Sequence, residues 1–247
     1  MKLIYLDNWS GHLYIQNNEK EYFDLLYDRV KGEYIKYDYT NSSQIIDEIN
    51  EKAREEIEKN QKILTVLGDH SNSSSFIEKY SNKVGSKNFK LIIFDAHPDV
   101  EVCVGEKPTH EDFLRYLIEN DYVSPENVTL IGIRTFSRKE LDYLLEKGIE
   151  FYTMKEFLCD YNKIKSKLED IKEKIYLSID IDVLDPTVSP GTYYREWGGM
   201  KEEELVDLIN LVSEKAEMVD IAEYNKDYDE DNKTLEIVER LVKKFYK

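Results

Sequence analysis

Acidic side chains with the spacing of a β-strand follow two separate apolar runs of this chain. Asp95, His97 and Asp99 follow the first run. Asp180 and Asp182 end the second, much later in the sequence. Alternate residues of a strand point to one face, so each cluster presents its side chains together. Because buried carboxylates at this density need cations to balance their charge, the pattern predicts a metal site with two ions.

Each cluster taken alone has an ordinary interpretation. An isolated Asp-x-His-x-Asp is often a solvated turn, and an Asp-x-Asp before Asp185 and Pro186 is commonly a strand end followed by a turn. The two clusters together, each at the carboxyl end of an apolar strand, favour the metal site. Ligands bind at that edge of open α/β sheets.

The composition limits the partners that the chain can have. Its 247 residues are 41% hydrophobic and 34% charged, which suits one α/β domain spanning 1–247. The net charge of −17 argues against nucleic acid and favours a small cationic substrate. No stretch approaches the roughly 18 apolar residues of a membrane span, and the apolar start is too short for a signal peptide. The chain has only two cysteines, Cys103 and Cys159. This predicts a cytoplasmic location without a disulfide framework.

Short apolar strands alternate with amphipathic helical segments along the chain. This alternation predicts a mainly parallel sheet covered on both faces. The predicted strands are 2–6, 63–67, 91–95, 128–133, 149–152, 174–180 and 218–223. The predicted helices are 43–59, 74–80, 111–119, 137–146, 201–215 and 233–245. Ser137 and Glu140 form a candidate capping box, and His110 falls at the amino end of the third helix.

A third motif, Gly68-Asp69-His70-Ser71, also follows an apolar strand. Together with the two acidic clusters it resembles the motifs of the arginase/agmatinase (ureohydrolase) family. The similarity runs in order from about residue 64 to Pro186, and continues through 189–192 and 198–200 to Glu223. The resemblance implies an arginase-like, three-layer α/β/α fold and a binuclear manganese site.

The resemblance also assigns metal ligands, residue by residue. One Mn²⁺ would be held by His70, Asp95, Asp99 and Asp180. The other would be held by His97, Asp95, Asp180 and Asp182, so that Asp95 and Asp180 bridge the two ions. A carboxylate-rich set with one imidazole per ion suits manganese. A hydroxide shared by the ions would attack the central carbon of a guanidinium or amidine group, and Asp99 would help to aim it.

Two further residues have both a functional and an ordinary interpretation. By resemblance, His110 would deliver a proton to the leaving amine; the alternative is an exposed histidine at a helix start. Glu223 would pair with the substrate guanidinium; the alternative is a strand-end acid near the surface. His12 lies in an amino-terminal loop and is given no role.

Departures from the family pattern concern the substrate. Glu101 stands where arginases use Asn to bind the amino-acid head group, and a carboxylate there would repel a substrate carboxylate. Arg195 could equally attract a substrate carboxylate, so Glu101 and Arg195 predict opposite preferences for the substrate. Tyr193, Tyr194 and Trp197 replace smaller residues. Four roles are open for them: narrowing the pocket mouth, stacking on a substrate, packing the loop or lining a subunit contact.

Three functions are compatible with these residues. The first is an agmatinase- or arginase-like manganese hydrolase of linear C–N bonds in guanidino or amidine compounds, assembled by resemblance as a trimer or hexamer. The second is a catalytically silent family member that binds metal or a small ligand. The third is a zinc deacetylase-like hydrolase, which is disfavoured because that group uses a neighbouring pair of histidines and none of the four here are adjacent.

Overall fold

A parallel sheet of eight strands runs through the part of the chain that the computed structural model describes. Described are residues 1–12, 22–35, 42–105 and 107–246, with only the backbone for 42–46. The spatial order of the strands is β2-β1-β3-β8-β7-β4-β5-β6. Their bounds are β1 Lys2–Leu6, β2 Glu33–Ile35, β3 Ile63–Leu67, β4 Phe89–Phe94, β5 Val128–Ile133, β6 Glu150–Thr153, β7 Lys174–Asp180 and β8 Ala216–Ala222.

Helices connect the strands and cover the sheet. Their bounds are α1 Asp24–Arg29, α2 Ser42–Lys59, α3 Ser73–Val84, α4 Phe113–Glu119, α5 Arg138–Lys147, α6 Met154–Asp170, α7 Glu202–Val212 and α8 Lys233–Phe245. Among the described residues, no helix is both long and apolar enough to cross a bilayer.

The central strands are buried on both faces, which makes them continuous apolar runs instead of alternating ones. Leu64 and Val66 of β3 pack into one apolar cluster with α6, α7 and α8. Ile63 and Leu67 of the same strand pack into a second cluster with α2, α3 and α4. Two cores on opposite faces of one sheet give the three-layer α/β/α fold predicted from the sequence.

The seven predicted strands are all present, with ends within two residues of the prediction. The prediction missed α6, although Thr153 and Glu156 form a capping box at its start. It also missed α1 and β2; β2 is a three-residue, half-buried edge strand, too short to leave a pattern. The predicted capping box of Ser137 and Glu140 is confirmed at the start of α5.

The strand order brings together the carboxyl ends that carry the sequence motifs. β3, β8, β7 and β4 are consecutive neighbours at the centre of the sheet. All four run in the same direction, so the segments that leave them meet at one edge. This edge is where ligands bind in parallel α/β sheets.

Candidate metal centre

Each central strand ends in a turn that presents polar side chains. Asp95 follows β4, Asp180 ends β7, and Glu223 follows β8. Asp99 and Glu223 adopt left-handed backbone conformations, with φ of 51° and 66°. Such conformations are disfavoured for side chains with a Cβ and persist where the surroundings hold them, often at functional sites.

A first group of donor atoms surrounds the ring of His70. Its Nδ1 lies 3.0 Å from Asp95 Oδ2 and 3.3 Å from both Asp99 Oδ2 and Asp180 Oδ2. Both His70 Nδ1 and Asp95 Oδ2 are buried and lack a hydrogen bond of acceptable geometry among the described residues. Donor atoms that converge without bonding one another are arranged as ligands of a cation.

A second group shares Asp95 with the first. His97 Nδ1 lies 2.9 Å from Asp182 Oδ2 and 3.6 Å from Asp95 Oδ1. One ligand atom from each of these residues lies within 4.8 Å of the others, as in the His70, Asp95 and Asp99 group. Because Asp95 turns a different oxygen to each group, one carboxylate joins the two adjacent groups of ligand-type residues.

Burial and charge in this cluster favour the entry of positive charge. Burial, followed by repulsion from Asp95, raises the pKa of Asp99 to about 8. Burial acts in the same direction on Asp95, but contacts with His70 and His97 outweigh it and lower the pKa of that carboxyl. The carboxylates raise the pKa of both imidazoles well above the usual range, against the effect of burial. The oxygen and nitrogen donors present fit a hard divalent cation such as Mn²⁺.

Hydrogen bonds behind His70 fix its ring. Its Nε2 lies 2.8 Å from Ser178 Oγ. Ser178 donates in turn to Asp220, which also accepts a hydrogen bond from Tyr176 at 2.7 Å. Since Ser178 uses its proton on Asp220, His70 Nε2 carries a proton, and Nδ1 is the nitrogen that would bind an ion.

His110 lies in a turn before α4 and lines the pocket, but it is buried instead of exposed. The ordinary interpretation from the sequence, an exposed histidine at a helix start, is therefore wrong. Its Nδ1 lies 3.2 Å from the carbonyl oxygen of Gly11. Burial lowers the pKa of His110, which keeps the imidazole neutral near pH 7.

His12, which was assigned no role from the sequence, lies beside His110 and Glu223, two of the predicted catalytic residues. Its ring stacks on that of His110 with centroids 4.1 Å apart and planes 3° from parallel. Its Nε2 lies 4.0 Å from Glu223 Oε2. The amino-terminal segment is held here because Gly11 donates its N–H to Asp69. No spacing in the sequence signals a contact between segments so far apart.

Glu223 is buried, so its alternative interpretation as a surface acid is also wrong. Its Oε1 accepts a hydrogen bond of 2.8 Å from the backbone N–H of His70. Its Oε2 has no hydrogen-bond partner among the described residues. Burial, then repulsion from Asp180, raises the pKa of this carboxyl well above its usual range.

A pocket of about 250 Å³ opens above the ligands. Its outer wall includes Glu101, Glu111, Glu196, Phe136 and Tyr194, and among the described lining residues none is Lys or Arg. Glu101 accepts a hydrogen bond of 2.8 Å from the Ser137 hydroxyl.

The structure does not bring Arg195 together with the other predicted site residues. Arg195 is absent from the described pocket lining, and its guanidinium donates to the carbonyl oxygens of Pro190 and Tyr228. Trp197 is 71% exposed, whereas Tyr194 packs between the rings of His97 and His110.

Sequence reasoning missed Glu196, which lies on the same loop as Tyr194. Its Oε1 is 3.7 Å from His97 Nε2. Its position depends on the path of the loop from residue 192 to 199, and that path is set by contacts with distant segments. The motifs of the sequence therefore gave no signal for it.

Comparisons with known proteins bear on the family and the fold of this chain. The family model described as "Arginase family" matches residues 14–246. An arginase of Staphylococcus aureus (strain MRSA252) is 30% identical over 233 residues, 83% of this chain and 75% of that protein. A formimidoylglutamase structure from Bacillus subtilis has a TM-score of 0.83 at 20% identity, covering 98% of this chain and 84% of that one. Proclavaminate amidino hydrolase from Streptomyces clavuligerus has a TM-score of 0.82 at 21% identity, covering 99% and 90%.

Proposed function

Because the chain belongs to the arginase family, we propose that it is a binuclear manganese-dependent hydrolase of linear C–N bonds in guanidino or amidine compounds. The observation that carries the proposal is the carboxylate of Asp95, which turns one oxygen to each of two adjacent ligand groups. Both groups lie at the edge of the sheet where ligands bind.

Six residues would hold the ions. They are His70, Asp95, His97, Asp99, Asp180 and Asp182, all at the carboxyl ends of β3, β4 and β7. When bound, two Mn²⁺ ions supply a water of lowered pKa as the nucleophile and polarise the substrate. The ring of His70 is already fixed by Ser178, so little ordering is left for metal binding.

Glu223 is the proposed partner of the substrate guanidinium. Its Oε2 is buried, has no hydrogen-bond partner among the described residues and lies in the pocket wall. A planar cation can donate a hydrogen bond to this oxygen. Its charge would also stabilise the ionised form of the Glu223 carboxyl, against the rise in pKa that burial causes. The guanidinium carbon would thereby be held above the ligand cluster.

His110 is the proposed proton carrier. When its Nδ1–H donates to the carbonyl oxygen of Gly11, Nε2 is left as the atom that can accept a proton and return it to the leaving amine. The stack with His12 and Tyr194 restricts rotation of the ring, so its proton-accepting atom keeps one direction.

The outer wall favours a substrate whose far end is cationic or neutral. Glu101, Glu111, Glu140 and Glu196 lie there, and no Lys or Arg is among the described lining residues. A substrate carboxylate would meet like charge, whereas an amine would be attracted. The relative from Staphylococcus aureus is named arginase, but this wall supports an agmatine-like compound over arginine.

Turnover of a guanidino panel tests the proposal. Manganese-reconstituted protein is incubated with agmatine, arginine, guanidinobutyrate, guanidinopropionate and formiminoglutamate. Released urea is measured for the guanidino compounds, and released formamide for formiminoglutamate. We expect turnover of at least one compound, with agmatine above arginine, and its loss in Asp180→Ala. No turnover across the panel, with two ions bound per chain, would contradict the hydrolase and leave a catalytically silent metal-binding protein.

A further inference from the structure

The two metal-facing imidazoles differ in what stands behind them. The ring of His70 is fully buried, and its Nε2 faces the hydroxyl of Ser178. The ring of His97 is 21% exposed, and its Nε2 faces the carboxylate of Glu196 at 3.7 Å. One ligand group is therefore supported from within the sheet, and the other by a loop at the pocket mouth.

The orientation of His97 makes the contact with Glu196 directional. Nδ1 of His97 faces Asp182 and Asp95, so Nδ1 is the atom available to an ion. An imidazole that binds metal through Nδ1 keeps its proton on Nε2, and His97 Nε2 lies 3.7 Å from the Glu196 carboxylate. A carboxylate behind a metal-binding histidine fixes its tautomer and its ring and increases its basicity.

Glu196 is itself held in place by neighbouring groups. Its Oε2 accepts a hydrogen bond of 2.7 Å from the Thr135 hydroxyl. Its backbone oxygen accepts hydrogen bonds from Arg134, at 3.2 Å from Nε and 2.9 Å from Nη2. Arg134 also donates to the backbone oxygens of Asp182 and Val183. One guanidinium thus ties the loop of Glu196 to the turn that carries a ligand of the second group.

We infer that Glu196 is a positioning residue for one of the two ions, the ion that His97 and Asp182 would hold. Its carboxylate, 3.7 Å from His97 Nε2, attracts the proton on that nitrogen and so holds the ring for binding through Nδ1. The inference rests on the proposed function for the presence of two ions. The inference goes beyond the proposed function because it gives a loop at the pocket mouth control over the affinity for one ion and not the other.

Glu111 offers a matched control in the same pocket wall. Its Oε1 lies 3.7 Å from the Nε2 of His110, the same distance as between Glu196 and His97. His110 is outside both ligand groups. Glu111→Gln therefore removes the same charge, from the same wall and beside the same kind of ring, without touching a ligand.

Manganese titration of the full chain tests the inference. Binding is followed by calorimetry and by electron paramagnetic resonance for the wild type, Glu196→Ala, Glu196→Gln and Glu111→Gln. In Glu196→Ala we expect the affinity for one ion to fall about 10- to 100-fold while the other stays within about twofold. The resonance spectrum of the coupled ion pair should give way to that of an isolated Mn²⁺ at intermediate metal concentration.

The conservative variant and the control sharpen the result. Glu196→Gln keeps an acceptor oxygen but loses the charge, so its affinity should lie between those of the wild type and Glu196→Ala. Glu111→Gln should keep both affinities. Because Glu196 is part-exposed, its replacement should leave the fold intact. Equal melting temperatures of the metal-free variants and the metal-free wild type check this.

Three results would overturn the inference. They are equal affinities in all variants, an equal loss for both ions in Glu196→Ala, and an increase in KM alone with metal binding unchanged. The last would make Glu196 a substrate contact. Failure of the proposed function is distinct: a wild type that binds two ions without turnover refutes the hydrolase, but its affinities still decide the role of Glu196.

Discussion

The floor and the rim of the pocket are built by different means. The floor, defined as the six candidate ligands with Glu223, comes from turns directly after central strands and is largely buried. The rim, defined as residues 101–105, 107–109, 111, 135–140 and 192–197, comes from longer connections and the start of α5. Val104 on the rim is 93% exposed, and the charged lining residues of the rim are Glu101, Glu111, Glu140 and Glu196.

This difference separates chemistry from selectivity. Floor positions follow from the register of four neighbouring strands, so a change there alters the ligand set itself. Rim positions depend on loop paths, so a change there alters which substrates reach the floor and how the candidate ligand His97 is held. Mutations of the floor should therefore reduce turnover of every substrate, and mutations of the rim should change its selectivity.

The largest effect is expected from the shared ligand on the floor. Asp95→Ala removes one donor from each group, so both ions lose affinity. Metal chemistry contributes several kcal/mol to transition-state stabilisation, and turnover should fall by more than about a thousandfold. Urea release and bound manganese per chain are the measurements.

A surface acid provides the control for that variant. Asp142→Ala removes one carboxylate from the exposed side of α5, where it pairs with Arg138. It should leave turnover and metal content unchanged. If Asp95→Ala kept two bound ions and more than a tenth of the activity, the shared carboxylate would not be a ligand.

His110 and His12, whose rings stack, form the wall between floor and rim, and the next largest effect is expected there. His110→Asn keeps a donor for the carbonyl oxygen of Gly11 but removes the proton-accepting Nε2. Loss of a general acid–base group lowers turnover by about a hundredfold to ten-thousandfold. Metal affinity should not change, which separates this variant from Asp95→Ala. A kcat within a factor of about three of the wild type would leave His110 without a role in proton transfer.

A pH experiment tests the stacked pair in this wall. Burial, followed by repulsion from His110, lowers the pKa of His12 to about 3 in the folded chain, against 6.5 as the usual value. As pH falls through 6.5 the unfolded chain gains a proton that the folded chain does not, so stability is lost as pH falls. His12→Gln should reduce that loss by up to about 1.4 kcal/mol per pH unit.

Denaturant unfolding of metal-free wild type and His12→Gln, between pH 7 and pH 5, measures this difference. Because His110 also has a lowered pKa, part of the acid destabilisation should persist in the variant. Parallel profiles for the two proteins would contradict burial of a neutral His12 against His110 and Glu223.

The residues that were predicted from the sequence and those that were missed are divided in the same way, between turns after central strands and longer connections. Asp95 and Asp180 could be placed at one edge of the sheet because each stands at the end of an apolar run and parallel strands end at the same edge, whereas Glu223 was placed by the family resemblance. His12 and Glu196 could not be placed, because their contacts with Glu223 and His97 join segments far apart in the chain. Burial of His110 was missed for the same reason, since the segment that covers it comes from the amino terminus.

The smallest effect is expected at the rim. Glu101→Asn removes a charge that would face the far end of a substrate, so kcat/KM for arginine relative to agmatine should rise about tenfold. The effect should be modest and should shrink with added salt, because a charge at an open pocket mouth is screened. Glu101→Gln is the matched variant, since it also loses the charge but retains the length of the side chain that reaches Ser137. If the ratio stays constant in both variants, selectivity against a carboxylate does not come from Glu101, and the remaining acids of the rim become its source.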